Sequence, residues 1–254
     1  MELDRQTIIT CLHRQMEVIP AVGAAWLEGS DASGWVDEYS DIDMCVSVAA
    51  GMLEEVTEHA RAALESLGVL DLIQTLVSQT DMLHTVFHLA GTPEYLLVDF
   101  MAYTGRGSDF YAGDEVEKPL VLFDRIGVVR FTTPDEEKVL CQLLDRLEQL
   151  KEMVAQSARI EKYVRRGNFL EAFGYYHKWL LTPLIEAIRM VYTPQHSDYY
   201  IVHISRHLPP HVLARLENLF KVSSTEEIGE KYRQALTFFE EVAAQLQFGQ
   251  GLKG

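Results

Sequence analysis

The chain has 254 residues, 48% of them hydrophobic and 24% charged, and its 22 basic and 38 acidic residues leave a formal net charge of −16. This composition is that of a folded globular protein and excludes a disordered, collagen-like or coiled-coil chain. The acidic balance counts against a nucleic-acid partner, because phosphate contacts need a surplus of Lys and Arg, and it suits a protein that attracts cations.

The first half of the chain alternates short apolar segments with turns. Ile8, Leu12 and Met16 recur at helical spacing and predict an amphipathic helix over 4–18. The apolar run 21–28 stops at Gly29-Ser30, which predicts a strand followed by a turn. The other predicted elements of this half are strands over 41–48, 70–78, 82–89 and 95–102, a helix over 52–67, and short extended pieces over 119–131.

Helical periodicity dominates after residue 133. Thr133 and Pro134 form a helix start, and Ser224 with Glu227 resembles a capping box. The predicted helices cover 134–166, 168–192, 196–207, 209–220 and 225–247. The sequence therefore predicts an α+β fold, with a mixed-sheet domain over 1–133 followed by an all-helical bundle domain over 134–254.

The cysteines and the hydropathy pattern indicate in which cellular compartment the protein is found. Cys11, Cys45 and Cys141 are scattered and form no CxxC pair, so neither a disulfide framework nor a thiolate zinc site is predicted. The N-terminus has no apolar signal-peptide core, and no run reaches the roughly 18 apolar residues of a membrane span. These features predict a cytoplasmic protein with no membrane partner.

One segment contains candidate catalytic and binding residues. It joins Gly29-Ser30 to Asp41-Ile42-Asp43 through a loop rich in small and polar residues. Residues i and i+2 of a strand point to the same face, so Asp41 and Asp43 project together. Two such carboxylates repel each other unless a cation lies between them, and oxygen ligands suit Mg²⁺. Gly29 lets the backbone approach a phosphate, and Ser30 adds a hydroxyl donor. This combination predicts a nucleotide-phosphate and metal site.

Asp99 is an ionisable residue within the apolar segment 95–101, and such a placement needs a reason. Metal ligation or proton abstraction would supply one. We expect its strand to lie beside that of Asp41 and Asp43, where Asp99 would complete the metal site.

The pattern of Gly-Ser, ten residues, Asp-x-Asp and a later strand Asp resembles the nucleotidyltransferase superfamily that includes DNA polymerase beta. Within it, segment 39–43 is similar to bacterial antibiotic nucleotidyltransferases of the aminoglycoside type. The motif resemblance covers about residues 20–102, and the C-terminal half matches in architecture only.

The resemblance implies an adenylyltransferase that moves a nucleoside monophosphate, AMP from ATP, to a hydroxyl of a small molecule. In that scheme Asp41, Asp43 and Asp99 hold Mg²⁺, Gly29 and Ser30 hold the triphosphate, and Asp99 is the first choice for the general base. The net charge favours a polycationic acceptor, with an aminoglycoside as the best single expectation and antibiotic resistance as the role. Small enzymes of this kind often form the acceptor cleft at a dimer interface, which allows a homodimer.

Alternatives remain at both the acceptor and the base. A lincosamide or a protein side chain, as in toxin–antitoxin pairs, would use the same chemistry, and a regulatory module would keep the fold without catalysis. The resemblance gives a helical-domain lysine, Lys178, contact with the nucleotide phosphates, although a surface lysine is the simpler interpretation. It also makes Glu161 and Glu171 competing bases, although each is more simply a helix-surface charge.

Other residues have simple structural explanations. Arg165 and Arg166 suit the last turn of a helix, and Arg189 would serve a triphosphate or pair with Glu186. His203 and His207 are four residues apart, but no third zinc ligand accompanies them. Trp35 and Tyr39 flank the acidic motif, where they would stack on a ligand or pack in the core.

Overall fold

The computed structural model of the protein describes residues 3–105 and 108–247. The chain divides into two units between Thr133 and Pro134. The first unit contains a mixed β-sheet and the second is built of helices, which confirms the predicted α+β class. The functional roles assigned to the two units stay predictions. No helix in the described ranges has both the length and the apolarity needed to cross a membrane.

The first unit is a six-stranded mixed sheet with helices and a small second sheet. Its strands are β1 (Val22–Leu27), β2 (Ile42–Val48), β3 (Leu70–Ser78), β4 (Met82–Leu89), β5 (Val98–Thr104), β6 (Ser108–Tyr111), β7 (Leu120–Asp124) and β8 (Val129–Thr132). Its helices are α1 (Arg5–Val18), α2 (Gly29–Ser33) and α3 (Leu53–Glu65). The strand order is β3-β4-β5-β2-β1-β7, and β6 pairs with β8 apart from it.

Strand alternation divides the sheet into two faces of different character. Ile42, Met44 and Val46 of β2 point into the core formed with α1 and α3, where Leu12 and Val56 are fully buried. The alternate residues of β2 and β5 therefore point to the opposite face. That face carries a smaller apolar cluster of Ala24, Trp26, Cys45 and Phe110, with Met101, Tyr103, Val128 and Val129 against it. The polar side chains at the start of β2 and β5 lie beside this second cluster.

Two local predictions in the first unit need correction. The fifth strand begins at Val98 rather than at residue 95, because the amide of Leu96 bonds back to the carbonyl of Pro93 at 2.9 Å and closes a turn. The turn predicted at Gly29-Ser30 is instead the start of the short helix α2. Gly34 ends that helix in the left-handed conformation, as glycine commonly does.

The second unit is a bundle of helices around one core. The helices are α4 (Glu136–Ala155), α5 (Ala158–Arg165), α6 (Phe169–Tyr176), α7 (Thr182–Tyr192), α8 (Ile204–His207), α9 (Pro210–Phe220) and α10 (Thr225–Gln247). A π-helical turn, His177–Leu181, joins α6 to α7. The single helix predicted over 134–166 is wrong, because the chain turns at Ser157. This serine is buried, and its hydroxyl lies 3.3 Å from the hydroxyl of Tyr232 in α10.

The helix predicted over 196–207 is also wrong, since only Pro194–His196, as a 3-10 turn, and α8 are helical there. Tyr200 and His203 have left-handed backbone angles, φ 49° and 50°, which no helix tolerates. Arg189, fully buried, explains how this backbone is held. Its guanidinium donates to the carbonyls of Tyr200 and Val202 and, at 3.3 Å, to the hydroxyl of Thr193. Arg189 is thus neither a phosphate ligand nor a partner of Glu186, which pairs with Arg146 at 2.6 Å.

We expect Arg189→Met to lower the free energy of unfolding by about 2–3 kcal/mol, because it removes the hydrogen bonds that a charged, buried donor makes to the carbonyls of Tyr200 and Val202. The matched control is Arg165→Met in the same unit. Arg165 pairs with Glu161 on the exposed surface, where an ion pair adds little stability. Urea unfolding measures both variants, and equal midpoints for the two would contradict the role of Arg189.

Candidate functional site

Three carboxylates meet at the start of two neighbouring strands. β2 and β5 pair in parallel, and the register sets Asp43 directly opposite Asp99. Each is the second residue of its strand, and Asp41 immediately precedes β2. One carboxylate oxygen from each of these three residues lies within 4.8 Å of the others. The structure therefore brings together all three predicted metal ligands, and it does so through strand pairing.

The electrostatics of this cluster fit a divalent cation. Burial, together with the smaller contributions of the charges on Asp41, Asp99 and Glu28, raises the pKa of Asp43 to about 7. Like charges this close oppose ionisation of one another, and a bound cation would relieve the repulsion. Three converging carboxylate oxygens are the hard ligands that Mg²⁺ prefers. The donor set is thus suited to the predicted magnesium ion, whose binding stays a prediction.

Gly29 is required by its contact with this cluster. Its φ is +59°, and a Cβ atom built on it would lie 2.1 Å from Oδ2 of Asp43. No side chain fits that space without displacing the carboxylate. The neighbouring amide of Glu28 donates to the carbonyl of Asp43 at 3.0 Å, which holds the end of β1 against the start of β2. Gly29 therefore lets two backbone segments close around the acidic group.

Ser30 is buried beside Gly29, and its hydroxyl accepts a hydrogen bond from Nη2 of Arg5 at 3.2 Å. A hydroxyl that accepts one bond keeps its own proton for donation. The predicted contact of Ser30 with a phosphate is compatible with this arrangement, because donation to an anion uses that proton.

Arg5 is a site residue that sequence reasoning missed. Its guanidinium pairs with Asp31, with Nε 2.9 Å from Oδ1, and donates to the backbone carbonyls of Ser40 and Asp41. One cation thus ties α1 to α2 and to the residue before β2. Arg5 follows the N-cap residue Asp4 and has the appearance of an ordinary helix-surface charge, so the local sequence carries no signal of these contacts.

His84 is a second residue that the sequence analysis missed. It lies on β4, which pairs antiparallel with β5 and sets Val86 opposite Asp99. His84 is two residues from Val86 and so shares its face, as a diagonal neighbour of Asp99. Its Nε2 lies 2.6 Å from Oδ1 of Asp99. The sequence signal was a polar residue inside an apolar strand, the same signal that identified Asp99.

Glu28 adds a further acidic group at the edge of the cluster. Burial raises its pKa, while the indole of Trp26, which donates to Oε1 at 2.7 Å, opposes that rise. The side chain also interacts with the buried thiol of Cys45, whose pKa is raised by its burial and by the charge of Glu28. Glu28 is therefore oriented by the second apolar cluster and strengthens the negative potential at Asp43.

The loop between α2 and β2 exposes aromatic rings next to the acidic residues. Trp35 is 60% exposed and Tyr39 is 62% exposed, so neither belongs to the core. Tyr39 makes an edge contact with Tyr95 at a ring-centroid distance of 5.3 Å. These exposed rings offer flat apolar surface at the end of the sheet where the carboxylates lie.

The remaining predicted residues belong to the second unit. Lys178 is exposed on the π-helical turn, with Nζ 4.8 Å from the ring centre of Trp179. Glu161 is exposed and pairs with Arg165, and Glu171 is exposed and accepts a weak bond from Asn168 at 3.5 Å. Each therefore has a local structural explanation. Their roles toward the carboxylate cluster stay predictions.

No protein-family model matches the chain, and no curated protein matches its sequence. Among solved structures it is similar to the crystal structure of an aminoglycoside 6-adenyltransferase from Bacillus subtilis, with 12% identity and a TM-score of 0.41. That alignment covers 99% of this chain and 93% of the other. A likeness at this level does not decide an activity, so the case for function rests on the carboxylates themselves.

We expect Gly29→Ala to abolish binding of Mn²⁺, a spectroscopic substitute for Mg²⁺, because the added methyl group would displace the Asp43 carboxylate. The matched control is Gly34→Ala, since Gly34 has φ +79° and nothing within 4 Å of its Cβ position. In both variants a non-glycine residue must adopt a left-handed backbone conformation, which destabilises the fold by about 1–3 kcal/mol. Calorimetric Mn²⁺ titration that finds equal losses in both variants would show that strain, and not the contact with Asp43, is responsible.

Proposed function

We propose that the protein transfers a nucleoside monophosphate, AMP from ATP, to a hydroxyl group of a small cationic acceptor and releases pyrophosphate. The observation that carries this proposal is the convergence of Asp41, Asp43 and Asp99, with their oxygens within 4.8 Å, beside the glycine that abuts Asp43. A carboxylate cluster next to the first residues of a short helix, Gly29 and Ser30, suits phosphoryl chemistry, which depends on positioning and on charge neutralisation.

The covalent step would be an in-line displacement at the α-phosphorus of ATP. The acceptor oxygen forms the new P–O bond, and the bond from the α-phosphorus to the bridging oxygen breaks, so pyrophosphate leaves with its electron pair. The hydroxyl proton goes to the Asp99 carboxylate, our candidate general base. The amide of Gly29 and the hydroxyl of Ser30 would hold the triphosphate.

Asp41, Asp43 and Asp99 are the residues that would hold Mg²⁺. When bound, the ion supplies charge neutralisation for the triphosphate and acidifies the attacking hydroxyl. The chain itself contributes the strand pairing that fixes Asp43 and Asp99, and the partly buried setting that makes the negative charge of Asp43 costly without a cation.

An aminoglycoside is the acceptor that the charges favour. The chain carries a net charge of −16, and Glu28 adds a carboxylate close to Asp43. Ammonium groups would be drawn to this region at long range and paired there at short range. The exposed rings of Trp35 and Tyr39 supply surfaces for cation–π or stacking contacts.

The first test is mass spectrometry of the full chain incubated with ATP, Mg²⁺ and a panel of acceptors. We expect a mass gain of one AMP on an aminoglycoside. A gain on a lincosamide or on a protein would change the acceptor but keep the chemistry, and no gain on any of them would favour a regulatory module. Asp43→Asn is the control: it should lower transfer by about 100-fold or more, since metal-ion stabilisation is worth several kcal/mol.

The Asp43→Asn variant should not be less stable than the wild type when metal is absent, because it removes one charge from a crowded acidic group. Thermal unfolding in a chelating buffer measures this. A variant that loses transfer together with several degrees of stability would indicate a structural role for Asp43 and would contradict its assignment as a ligand.

We expect Asp99→Asn to slow the chemical step by about 10²–10⁴-fold, the usual cost of losing a general base, with ATP affinity far less affected. Single-turnover kinetics separates the two effects. Glu161→Gln and Glu171→Gln are the competing variants, and both should keep the wild-type rate. Loss of the chemical step in either one, with Asp99→Asn active, would move the base to the helical unit.

A further inference from the structure

We infer that His84 is a positioning residue for Asp99, an inference that rests on the proposed function. Nε2 of His84 lies 2.6 Å from Oδ1 of Asp99. Both side chains are largely buried, with exposures of 17% and 18%. A short contact of this kind to an ionised carboxylate requires that Nε2 carry the proton and donate it. His84 therefore holds one of the two carboxylate oxygens.

Asp99 has a physical need for such a partner. It lies directly opposite Asp43 in the β2–β5 ladder, and like charges in that position repel each other. Two rotatable bonds separate the Asp99 carboxylate from the backbone, so repulsion from Asp43 favours rotation away from it. The hydrogen bond donated from β4 opposes that rotation.

The position of His84 in the sheet fixes the geometry of its hydrogen bond to Asp99. β4 and β5 are paired in register from Met82↔Tyr103 to Phe87↔Val98, so the two side chains project from strands fixed by backbone hydrogen bonds. Neither partner is on a loop. Groups that orient metal ligands in this way commonly change metal affinity or activity by 10–100-fold when they are removed.

The same strand supplies a matched control. His88, four residues along β4 and on the same face, makes a contact of the same length, with Nδ1 2.6 Å from Oδ1 of Asp71. Asp71 lies on β3, away from the β2–β5 ladder. The His88 pair is therefore a second histidine–aspartate contact on the same strand. Its aspartate is 50% exposed and is not a carboxylate of the proposed site.

The test compares the variants His84→Phe, His84→Gln and His88→Phe in the full chain. Phenylalanine keeps a ring but cannot donate, whereas the glutamine amide can donate to Asp99. We expect His84→Phe to lower the affinity for Mn²⁺ alone by about 10–100-fold, measured by electron paramagnetic resonance of the free ion. His84→Gln should restore most of that affinity, and His88→Phe should retain the wild-type value.

The kinetic expectation is that His84→Phe lowers kcat much more than it raises KM for ATP, because the orientation of Asp99 matters most in the chemical step. Thermal unfolding of all three variants shows whether folding is intact. Equal Mn²⁺ affinity in His84→Phe and wild type, or equal losses in His84→Phe and His88→Phe, would overturn the inference. Failure of His84→Gln to restore affinity above the His84→Phe value would also overturn it.

The outcome is separable from that of the proposed function. A wild-type chain that transfers nucleotide at the same rate as His84→Phe overturns the positioning role alone. A wild-type chain that binds Mn²⁺ but transfers nothing overturns the proposed function, while the Mn²⁺ affinities of the variants still decide the role of His84. A wild-type chain that binds no Mn²⁺ overturns both.

Discussion

The parallel pairing of β2 with β5 is the constraint around which the first unit is arranged. It places Asp43 against Asp99 on neighbouring strands, with Asp41 one residue before β2. Carboxylates opposed in this way repel each other, and this repulsion adds to the effect of burial and of Asp41 in raising the pKa of Asp43. A bound cation would give the three carboxylates a function as ligands. It would also remove the electrostatic penalty of placing them together.

The surrounding structure accommodates this acidic centre in distinct ways. Gly29 has no side chain, and this allows the end of β1 to approach Asp43. Arg5 neutralises Asp31 and fixes the backbone of Asp41 through its carbonyl. His84 holds Asp99 from the neighbouring strand. These contacts stabilise the carboxylate positions from three directions, and the apolar core on the other face of the sheet keeps the strands themselves in register.

The helical unit contains its own departures from regular geometry. The π-helical turn between α6 and α7 carries Lys178, and π-helical turns inside α-helices are frequent at functional sites. The left-handed residues Tyr200 and His203 are tolerated because Arg189 binds the backbone around them. A strained backbone conformation of this kind persists only where several surrounding contacts stabilise it. Arg189 is thus a structural cation that binds backbone carbonyls rather than a carboxylate.

The α+β class, the change to helices near residue 133, and the motif that combines Gly29-Ser30 with Asp41 and Asp43 could all be predicted from the amino-acid sequence. Those features depend on local periodicity and on short spacings along the chain, both of which can be read from the sequence without a structure. The sequence also singled out Asp99, because a charge inside an apolar segment is visible without a structure. Local patterns did not predict the break at Ser157 or the irregular backbone around Tyr200, since tertiary hydrogen bonds decide both.

Only the tertiary structure decided which groups meet. The register that sets Asp43 opposite Asp99, the reach of Arg5 to Asp31, and the contact of His84 with Asp99 join residues that lie 15 to 56 positions apart in the chain. Strand order and register are consequences of how the whole sheet buries its apolar face, and no short window of sequence encodes them. For that reason the carboxylates could be proposed from the sequence, whereas the residues that hold them in place became visible only in the folded chain.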